Sequence, residues 1–113
     1  MTPYIFLSHS REDLAKVRKV RDYLEKKSFE PILFNLRCLT DSDELGSLVK
    51  REIEARPWFL YLDSPRARSS SRVQAEVAYA RDVQKKPVFR VDLDAGWWMQ
   101  KLALRRALRK MRG

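Results

Sequence analysis

The sequence has 113 residues, of which 44% are hydrophobic, and its formal net charge is +9. This length predicts one domain over residues 1–113, since domains typically have ~100–150 residues, and no apolar run approaches the ~20 residues of a membrane-spanning helix. One cysteine excludes an internal disulfide framework, and no basic stretch precedes the short apolar run near the N-terminus, so we expect a cytoplasmic protein.

Apolar runs of strand length alternate with segments of helical period, a pattern that is typical of a parallel α/β sheet. The first strand is predicted at Tyr4–Ser8, a continuous apolar run of the kind that is covered on both faces. A helix follows, because Ser10 and Asp13 form a start that resembles a capping box. Its buried stripe is predicted to contain Leu14, Val17, Val20 and Leu24.

A second strand is predicted at residues 31–34, with an irregular polar loop at 35–42. Thr40 and Asp43 give another helix start, and Pro57 ends that helix. The buried stripe of this second helix is predicted to consist of Leu45, Leu48, Val49 and Ile53. The third strand, at residues 58–62, is the most hydrophobic and is therefore expected at the centre of the sheet.

The rest of the chain continues the alternation. An irregular loop is predicted at residues 63–71, and the helix after it has a stripe of Val73, Val77, Ala80 and Val83. Lys86-Pro87 interrupts this helix, and a fourth strand is predicted at residues 88–93. The last helix, at residues 97–112, is basic and has one apolar side that comprises Leu104, Leu108 and Met111.

This order of elements predicts a flavodoxin-like, three-layer α/β fold. Right-handed crossovers place helices on both faces of a parallel sheet, for which we expect the strand order 2-1-3-4. In that order a crevice forms where strands one and three end, because the direction of winding reverses there. The loops that meet at this crevice are predicted at residues 8–13, 35–42 and 63–71, and function is expected in them.

Several common kinds of site are excluded by what the sequence lacks. The only glycines are Gly46, Gly96 and Gly113, so neither a Gly-rich dinucleotide turn nor a P-loop follows the first strand. One histidine and one cysteine cannot form a zinc site of ordinary composition, and no metal is expected. Ser8 and His9 are strand neighbours that point to opposite faces, which is poor geometry for a serine hydrolase.

Glu76 is an ionisable residue at a position where the helical period predicts an apolar one. It follows Val73 by three residues and precedes Ala80 by four, so it lies on the apolar stripe beside the predicted crevice. A carboxylate there could stabilise the oxocarbenium-like transition state formed when a nicotinamide–ribose bond breaks, since the pyridinium leaves as a neutral base without protonation. The structural alternative is a glutamate that pairs with an arginine such as Arg72.

Basic residues are concentrated near the C-terminus. Residues 95–113 contain no acidic residue but include Lys101, Arg105, Arg106, Arg109, Lys110 and Arg112. A solvated helix face explains this pattern more simply than a nucleic-acid interface, so nucleic acid is not an expected partner. Nucleic-acid binding through this helix stays open as a third and weaker function, which predicts a steep dependence on salt. In the predicted loops, Arg11, Arg37, Arg66 and Arg68 could hold a pyrophosphate, although each of them is individually more typical of solvated surface.

Four segments together share their order with a known family. The first strand ends in Ser-His-Ser at residues 8–10; residues 48–54 and 58–64 read LVKREIE and WFLYLDS; and residues 70–77 read SSRVQAEV, with Ala80 beyond. These segments, with the loop at 35–45, resemble Toll/interleukin-1 receptor (TIR) domains of the bacterial, NAD-cleaving type. The resemblance covers residues 4–93, and its last segment is the most specific.

The resemblance implies that Glu76 is the catalytic residue and that NAD is the substrate, with no cofactor. Arg72 stands where the family usually has tryptophan. Family members usually have a fifth strand, so the sheet is expected to have four to five strands. The substrate-binding residues that the resemblance implies are Ser8, His9, Ser10, Arg11, Asn35, Arg37, Ser71 and Arg72.

The function implied by the resemblance is that of an NAD glycohydrolase or ADP-ribosyl cyclase, activated by self-association through TIR–TIR contacts. A role in bacterial immunity, including antiphage defence, or as an effector is the expected context, and the linear or cyclic form of the product is left open. The alternative is a non-catalytic adaptor whose loop at residues 35–45 docks onto other TIR or regulatory domains. Arg72 in place of tryptophan favours that alternative.

Overall fold

The computed structural model describes residues 4–33 and 47–112 of the chain. Several predictions lie outside these residues: the polar loop at 35–42 with its candidate residues Asn35 and Arg37, and the helix start at Thr40 and Asp43. Phe34, the predicted end of the second strand, and Leu45 of the second stripe lie outside them too.

The four described strands form one parallel sheet in the order β2-β1-β3-β4. They are β1 at Tyr4–Ser8, β2 at Glu30–Leu33, β3 at Trp58–Asp63 and β4 at Val88–Asp92. The predicted strand order is therefore confirmed, as is the central position of the third strand. The fold is flavodoxin-like. The bounds of β1 are as predicted, and those of the other three strands agree with the predicted ones to within one residue.

Five helices connect or follow the strands in the described ranges. A short 3-10 turn at Arg11–Asp13 leads into the first of them. The helices are α1 at Leu14–Lys26, α2 at Ser47–Ala55, α3 at Pro65–Arg68, α4 at Ser71–Ala78 and α5 at Trp97–Arg112. A π-helical turn at Tyr79–Val83 continues α4.

The strands divide the hydrophobic core into two layers because successive side chains point to opposite faces of the sheet. On one face, Ile5 and Leu7 of β1 pack in a single cluster with side chains of α1 and α5. On the other face, Phe6 stacks on Phe59 of β3 with the ring centroids 5.5 Å apart, in a cluster with side chains of α2 and α4. The helices therefore cover both faces, as predicted.

Among the described residues of the predicted apolar stripes, Leu48 and Val83 are exposed. Leu48 is 53% exposed because the buried side of α2 is defined by Val49 and Ile53, four residues apart, and Leu48 is one residue out of phase with them. Val83 is 62% exposed. The π-helical turn explains this, because its wider i→i+5 spacing rotates later residues away from the face that Val73 and Val77 bury.

The predicted irregular loop at residues 63–71 contains a helical turn, α3. The Ser64 hydroxyl accepts a hydrogen bond from the Ala67 amide at 2.9 Å, and Pro65 occupies the first helical position. Proline suits that position because its missing N–H would have no partner there and its φ is already helical. The Ser-Pro pair was therefore a local start signal for this turn.

Among the helices at residues 4–33 and 47–112, none has the length and apolar character to cross a lipid bilayer.

Candidate active site

Glu76 lies at the carboxyl end of β1, where the sequence predicts a crevice. Its side chain is fully buried, and its Oε1 accepts a hydrogen bond of 2.6 Å from the hydroxyl of Ser8, the last residue of β1. Ser8 is also fully buried. Residues 68 positions apart in the chain are thus joined inside the protein, and the predicted placement of Glu76 on the buried face of its helix is confirmed.

The start of α4 determines where Glu76 points. Ser70 is the N-cap, and its hydroxyl accepts a hydrogen bond from the Val73 amide at 3.2 Å. From this cap, Val73, Glu76 and Val77 follow at the three- and four-residue steps that place them on one helical face, and all three are buried. The cap therefore aligns the carboxylate with the two valines that anchor α4 to the sheet.

Arg72 is the second partner of the carboxylate. Its Nη1 donates to Glu76 Oε2 at 2.8 Å, and its Nη2 donates to the carbonyl oxygen of His9 at 2.8 Å. The guanidinium therefore joins the first turn of α4 to the segment that follows β1. The side chain of Arg72 is 18% exposed and that of Glu76 is 1% exposed, so this is a largely desolvated ion pair. Both the functional and the structural readings of Glu76 are compatible with such a pair.

Burial and charge act on the Glu76 carboxyl group in opposite directions. Burial raises the pKa of Glu76 above its usual value, whereas the charge of Arg72 and the hydrogen bonds from Ser8 and Arg72 lower it. The net effect is a raised pKa. Arg72 therefore keeps the carboxyl group closer to its ordinary acidity than burial alone would allow.

His9 is buried next to this pair but takes a different partner. Its Nδ1 lies 3.2 Å from the carbonyl oxygen of Leu7. Burial lowers the pKa of His9, and the charge of Arg72 lowers it further, against opposing effects from the Leu7 carbonyl and from Asp13. The ring is therefore neutral at neutral pH. Because the Ser8 hydroxyl donates to Glu76 and not to this ring, the two neighbours do not form a nucleophile–base pair.

The other predicted substrate-binding residues lie around the same end of the sheet. Ser10 is buried, and its hydroxyl accepts from the Glu12 amide at 3.2 Å, so it is an N-cap as the sequence predicted. The turn that it caps is 3-10, however, and the α-helix begins only at Leu14. Arg11 is exposed in that turn, and Ser71 is exposed as the first residue of α4. Hydrogen bonds link Ser8 to Glu76, Glu76 to Arg72, and Arg72 to the carbonyl oxygen of His9. Arg11 and Ser71 lie on the surface next to these residues in the chain.

A second polar cluster, formed by Asp13, Ser64, Arg66 and Asp94, lies near the Glu76 site. The sequence pattern did not predict that these residues come together. Asp13 is buried and accepts hydrogen bonds from the Ser64 hydroxyl, at 2.5 Å, and from Arg66 Nε. Arg66 also donates to Asp94 at 3.0 Å. The positions of these residues in the chain could have indicated the cluster. Asp13 follows β1 and Ser64 follows β3, and the carboxyl ends of these neighbouring strands lie at the same edge of the sheet.

Two of the four arginines that could hold a pyrophosphate, Arg66 and Arg68, have carboxylate partners in the structure, and a third, Arg37, lies outside the described residues. Arg66 pairs with Asp13 and Asp94, and Arg68 donates to Asp63 at 3.0 Å. Asp63 is also held by Arg90 at 2.6 Å. Neither Arg66 nor Arg68 is therefore an uncompensated cation, which weakens the expectation that they bind phosphate.

Comparison with known proteins identifies the family. A family model described as TIR domain matches residues 5–109, nearly the whole chain and well beyond the segment in which the resemblance was seen. No curated protein matches the sequence significantly. The match runs from β1 through most of α5, so the basic C-terminal helix is included in it. The order of the strands, the position of Glu76 and this match lead to one conclusion: the chain belongs to the TIR domain family.

Proposed function

We propose that this TIR domain cleaves the nicotinamide–ribose bond of NAD, as an NAD glycohydrolase or an ADP-ribosyl cyclase. The observation that carries the proposal is the complete burial of the Glu76 carboxylate at the end of β1, in contact with Ser8 and Arg72. A buried carboxylate at a crevice is expensive to maintain, because desolvation disfavours its charged form. Such groups are concentrated at functional sites.

The proposed reaction needs one negative charge and no acid for the leaving group. The bond between ribose C1′ and the pyridinium nitrogen breaks, and its electron pair moves to nicotinamide, which leaves neutral. Positive charge then develops on C1′ and the ring oxygen, where Glu76 stabilises it more strongly than an exposed carboxylate would. Water that adds at C1′ and loses a proton yields ADP-ribose, whereas attack by an adenine nitrogen yields a cyclic product.

The contacts of Glu76 are compatible with this role. Each carboxylate oxygen can accept two hydrogen bonds. The single contacts from Ser8 and Arg72 therefore leave acceptor capacity for ribose hydroxyls. Arg72 supports the ionised state by lowering the pKa of Glu76. NAD is the substrate in this proposal and no cofactor is required.

Self-association is the proposed means of activation. TIR domains commonly associate with one another, and in enzymatic members head-to-tail packing completes the site across two domains. We therefore expect an isolated copy of this chain to be nearly inactive. The Ser-His-Ser sequence at the end of β1 resembles bacterial members of the family, and the proposed setting is therefore a bacterial cytoplasm, with a role in immunity or as an effector. The roles of Ser8, His9, Ser10, Arg11, Asn35, Arg37, Ser71 and Arg72 in binding NAD are part of the same proposal.

A comparison of two glutamate variants tests the proposed activity. The purified chain is incubated with NAD at high concentration or clustered on beads, and free nicotinamide is followed. We expect release by the native chain and a loss of at least about a hundredfold for Glu76→Gln, since charge stabilisation of this kind is worth ~10²–10³ in rate. Glu25→Gln makes the same chemical change at an exposed position and should retain full activity.

Two outcomes would contradict the enzyme. Nicotinamide release that is equal in the native chain and Glu76→Gln would assign the activity elsewhere. No release even after clustering, from protein whose circular dichroism shows a folded state, would leave the chain without the proposed activity.

A non-catalytic interaction module is the second candidate, and the Arg72–Glu76 ion pair favours it. Arg72 supplies a compensating charge to the buried carboxylate and links α4 to the segment after β1, which is what a purely structural pair would do. In this case the chain would dock onto another TIR or regulatory domain. Co-purification with such a domain, with unchanged affinity in Glu76→Gln and no release of nicotinamide, would support it.

A further inference from the structure

Helices α1 and α5 lie side by side on one face of the sheet, and a groove runs between them. It consists of two adjoining hollows, with volumes of about 460 and 400 Å³, that share Tyr23 and Lys27 in their walls. The Tyr23 and Trp97 rings meet edge to face across the groove, with centroids 6.2 Å apart. Near its far end, Arg112 of α5 donates to the carbonyl oxygen of Lys27 at 2.8 Å. We call this feature the α1/α5 groove.

The walls of the α1/α5 groove are strongly basic. The cations of the first hollow are Lys19, Lys26, Lys27 and Lys101. The second hollow adds Arg105, Arg109 and Arg112. Among the described residues that line the groove, the carboxylate is Asp22, which Arg21 holds at 3.1 Å. The basic residues of α5 thus face those of α1, an arrangement that α5 alone does not reveal and that favours a polyanion as ligand.

Aromatic rings are interleaved with these cations. Lys19 Nζ lies 5.7 Å from the centroid of the Trp97 ring, and Lys27 Nζ lies 5.6 Å from that of Tyr23. Cation–π attraction therefore holds two ammonium groups over the groove. Positive charge beside aromatic rings is the combination that single-stranded nucleic acids require, since the cations contact phosphates and unpaired bases stack on the rings.

We propose that the α1/α5 groove binds single-stranded nucleic acid. The 16 residues of α5 extend over roughly 24 Å at ~1.5 Å per residue. That length accommodates roughly four to seven nucleotides at ~3.4 Å or somewhat more per nucleotide. An acidic protein segment would use the cations but not the rings, and the bases of a duplex are already stacked on one another. The groove therefore fits an unpaired strand best.

The α1/α5 groove is separate from the Glu76 site. The side chains of α1 and α5 pack on one face of the sheet, whereas those of α4 pack on the other. This binding site therefore goes beyond the proposed NAD cleavage and does not depend on it. In particular, Glu76→Gln should bind an oligonucleotide as tightly as the native chain, whatever its effect on NAD.

Two triple variants with equal loss of charge test the proposal. Fluorescence anisotropy is measured with labelled single-stranded RNA and DNA of about 12 nucleotides, between about 50 and 200 mM salt. The groove variant is Lys101→Gln/Arg105→Gln/Arg109→Gln. The control removes three exposed cations outside the walls of the groove, two of them on the same helix, as Arg51→Gln/Arg106→Gln/Lys110→Gln.

We expect the native chain to bind and the groove variant to lose at least about tenfold in affinity, against less than about threefold for the control. The slope of log K against log salt should become shallower by about 2 in the groove variant, because each phosphate contact on a single strand contributes ~0.7. A variant of the opposite wall, Lys19→Gln/Lys26→Gln, should repeat the loss. It provides an independent check should the first variant prove unstable by thermal unfolding.

Three results would overturn the proposal. The first is no binding by the native chain at low salt, and the second is an equal loss in the groove and control variants, which would indicate net charge alone. The third is competition by polyglutamate as effective as that by unlabelled oligonucleotide at equal charge concentration. That result would identify the α1/α5 groove as a docking surface for acidic protein segments. Tighter binding of RNA than of DNA, or the reverse, would define the kind of strand.

Discussion

At the scale of single residues, the candidate site is centred on the buried carboxylate of Glu76 and its two hydrogen-bond partners. Glu76 receives a hydroxyl hydrogen bond from β1 and a guanidinium hydrogen bond from its own helix. Arg72 has five donors in a planar fork, so it can bind Glu76 and the His9 carbonyl at once. A tryptophan, which TIR domains usually have here, would offer stacking but no charge. Arginine therefore changes the acidity of the site rather than only its shape.

Removing the charge of Arg72 should shift the pH dependence of NAD cleavage. In the proposed reaction the ionised carboxylate is the active form, so activity should be lost as pH falls through the pKa of Glu76, which burial raises above its usual value. Because Arg72 lowers that pKa, Arg72→Gln should move the acidic limb of the pH–rate profile to higher pH. Arg72→Lys retains the charge and should restore much of the native profile. An acidic limb that stays in place in Arg72→Gln would show that the two groups are not coupled.

His9 should determine how stability changes near neutral pH, because it is the single histidine of the sequence. Burial lowers its pKa, so below about pH 6.5 the unfolded chain binds a proton that the folded chain does not, and stability falls as pH falls. The raised pKa of Glu76 has the opposite effect, since it stabilises the folded state as pH falls. The difference between the native chain and His9→Gln isolates the histidine.

Urea unfolding at several pH values measures this difference. We expect the stability of the native chain relative to His9→Gln to decrease as the pH is lowered from neutral. A difference that is constant across this range would contradict the lowered pKa of His9.

At the scale of elements, α4 shows how a short helix can place one side chain precisely. It has eight residues and continues into a π-helical turn. A helix this short forms few i→i+4 backbone hydrogen bonds, because the amides of its first turn have no partner within the helix. Isolated helices of this length are not stable in water, and packing must hold them. Val73 and Val77 provide that packing, and the hydroxyl of Ser70 satisfies an amide at the open end.

Loss of the α4 cap should lower stability. Ser70→Ala leaves the Val73 amide without its acceptor and should reduce the free energy of unfolding by about 1 kcal/mol. Ser70→Gly should cost only a few tenths of a kcal/mol, because glycine at an N-cap lets water reach the free amides. Chemical denaturation of both variants measures the effect. Equal stability of Ser70→Ala and the native chain would show that α4 does not depend on this cap.

At the scale of the whole molecule, the sheet separates two surfaces with different chemistry. The α2/α4 face borders the end of β1 where Glu76 is buried, and the α1/α5 face carries the basic groove. A parallel sheet covered on both faces permits this separation, because each face has its own set of strand side chains. A change in the groove can therefore leave the Glu76 site unaltered.

Self-association should make the specific activity of this chain depend on its concentration. If a second copy completes the site, nicotinamide release per mole of protein should rise over a dilution series and reach a plateau at high concentration. The mass measured by light scattering should rise over the same range. Glu76→Gln should associate like the native chain without releasing nicotinamide. A specific activity that is constant over the series would indicate a site that is complete in one copy.

The secondary structure was largely predictable because it depends on local patterns. Continuous apolar runs predicted β1 and β3, and apolar steps of three and four residues predicted α1 and α5. The errors have local causes as well. Leu48 is one residue out of phase with its stripe, and Val83 is rotated outward by a π-helical turn that hydrophobic period does not encode.

What the sequence by itself determined is which faces are buried, and with them the burial of Glu76, because periodicity along a helix is a local property. Only the tertiary structure decided what that carboxylate contacts. The hydroxyl of Ser8 is 68 residues away, and Asp13 meets Ser64 across 51 residues. The tertiary structure likewise decided that the basic residues of α5 line a groove, since the groove forms only where α1 packs beside α5. Such partners depend on the order of the strands and the path of the crossovers, which a local pattern does not contain.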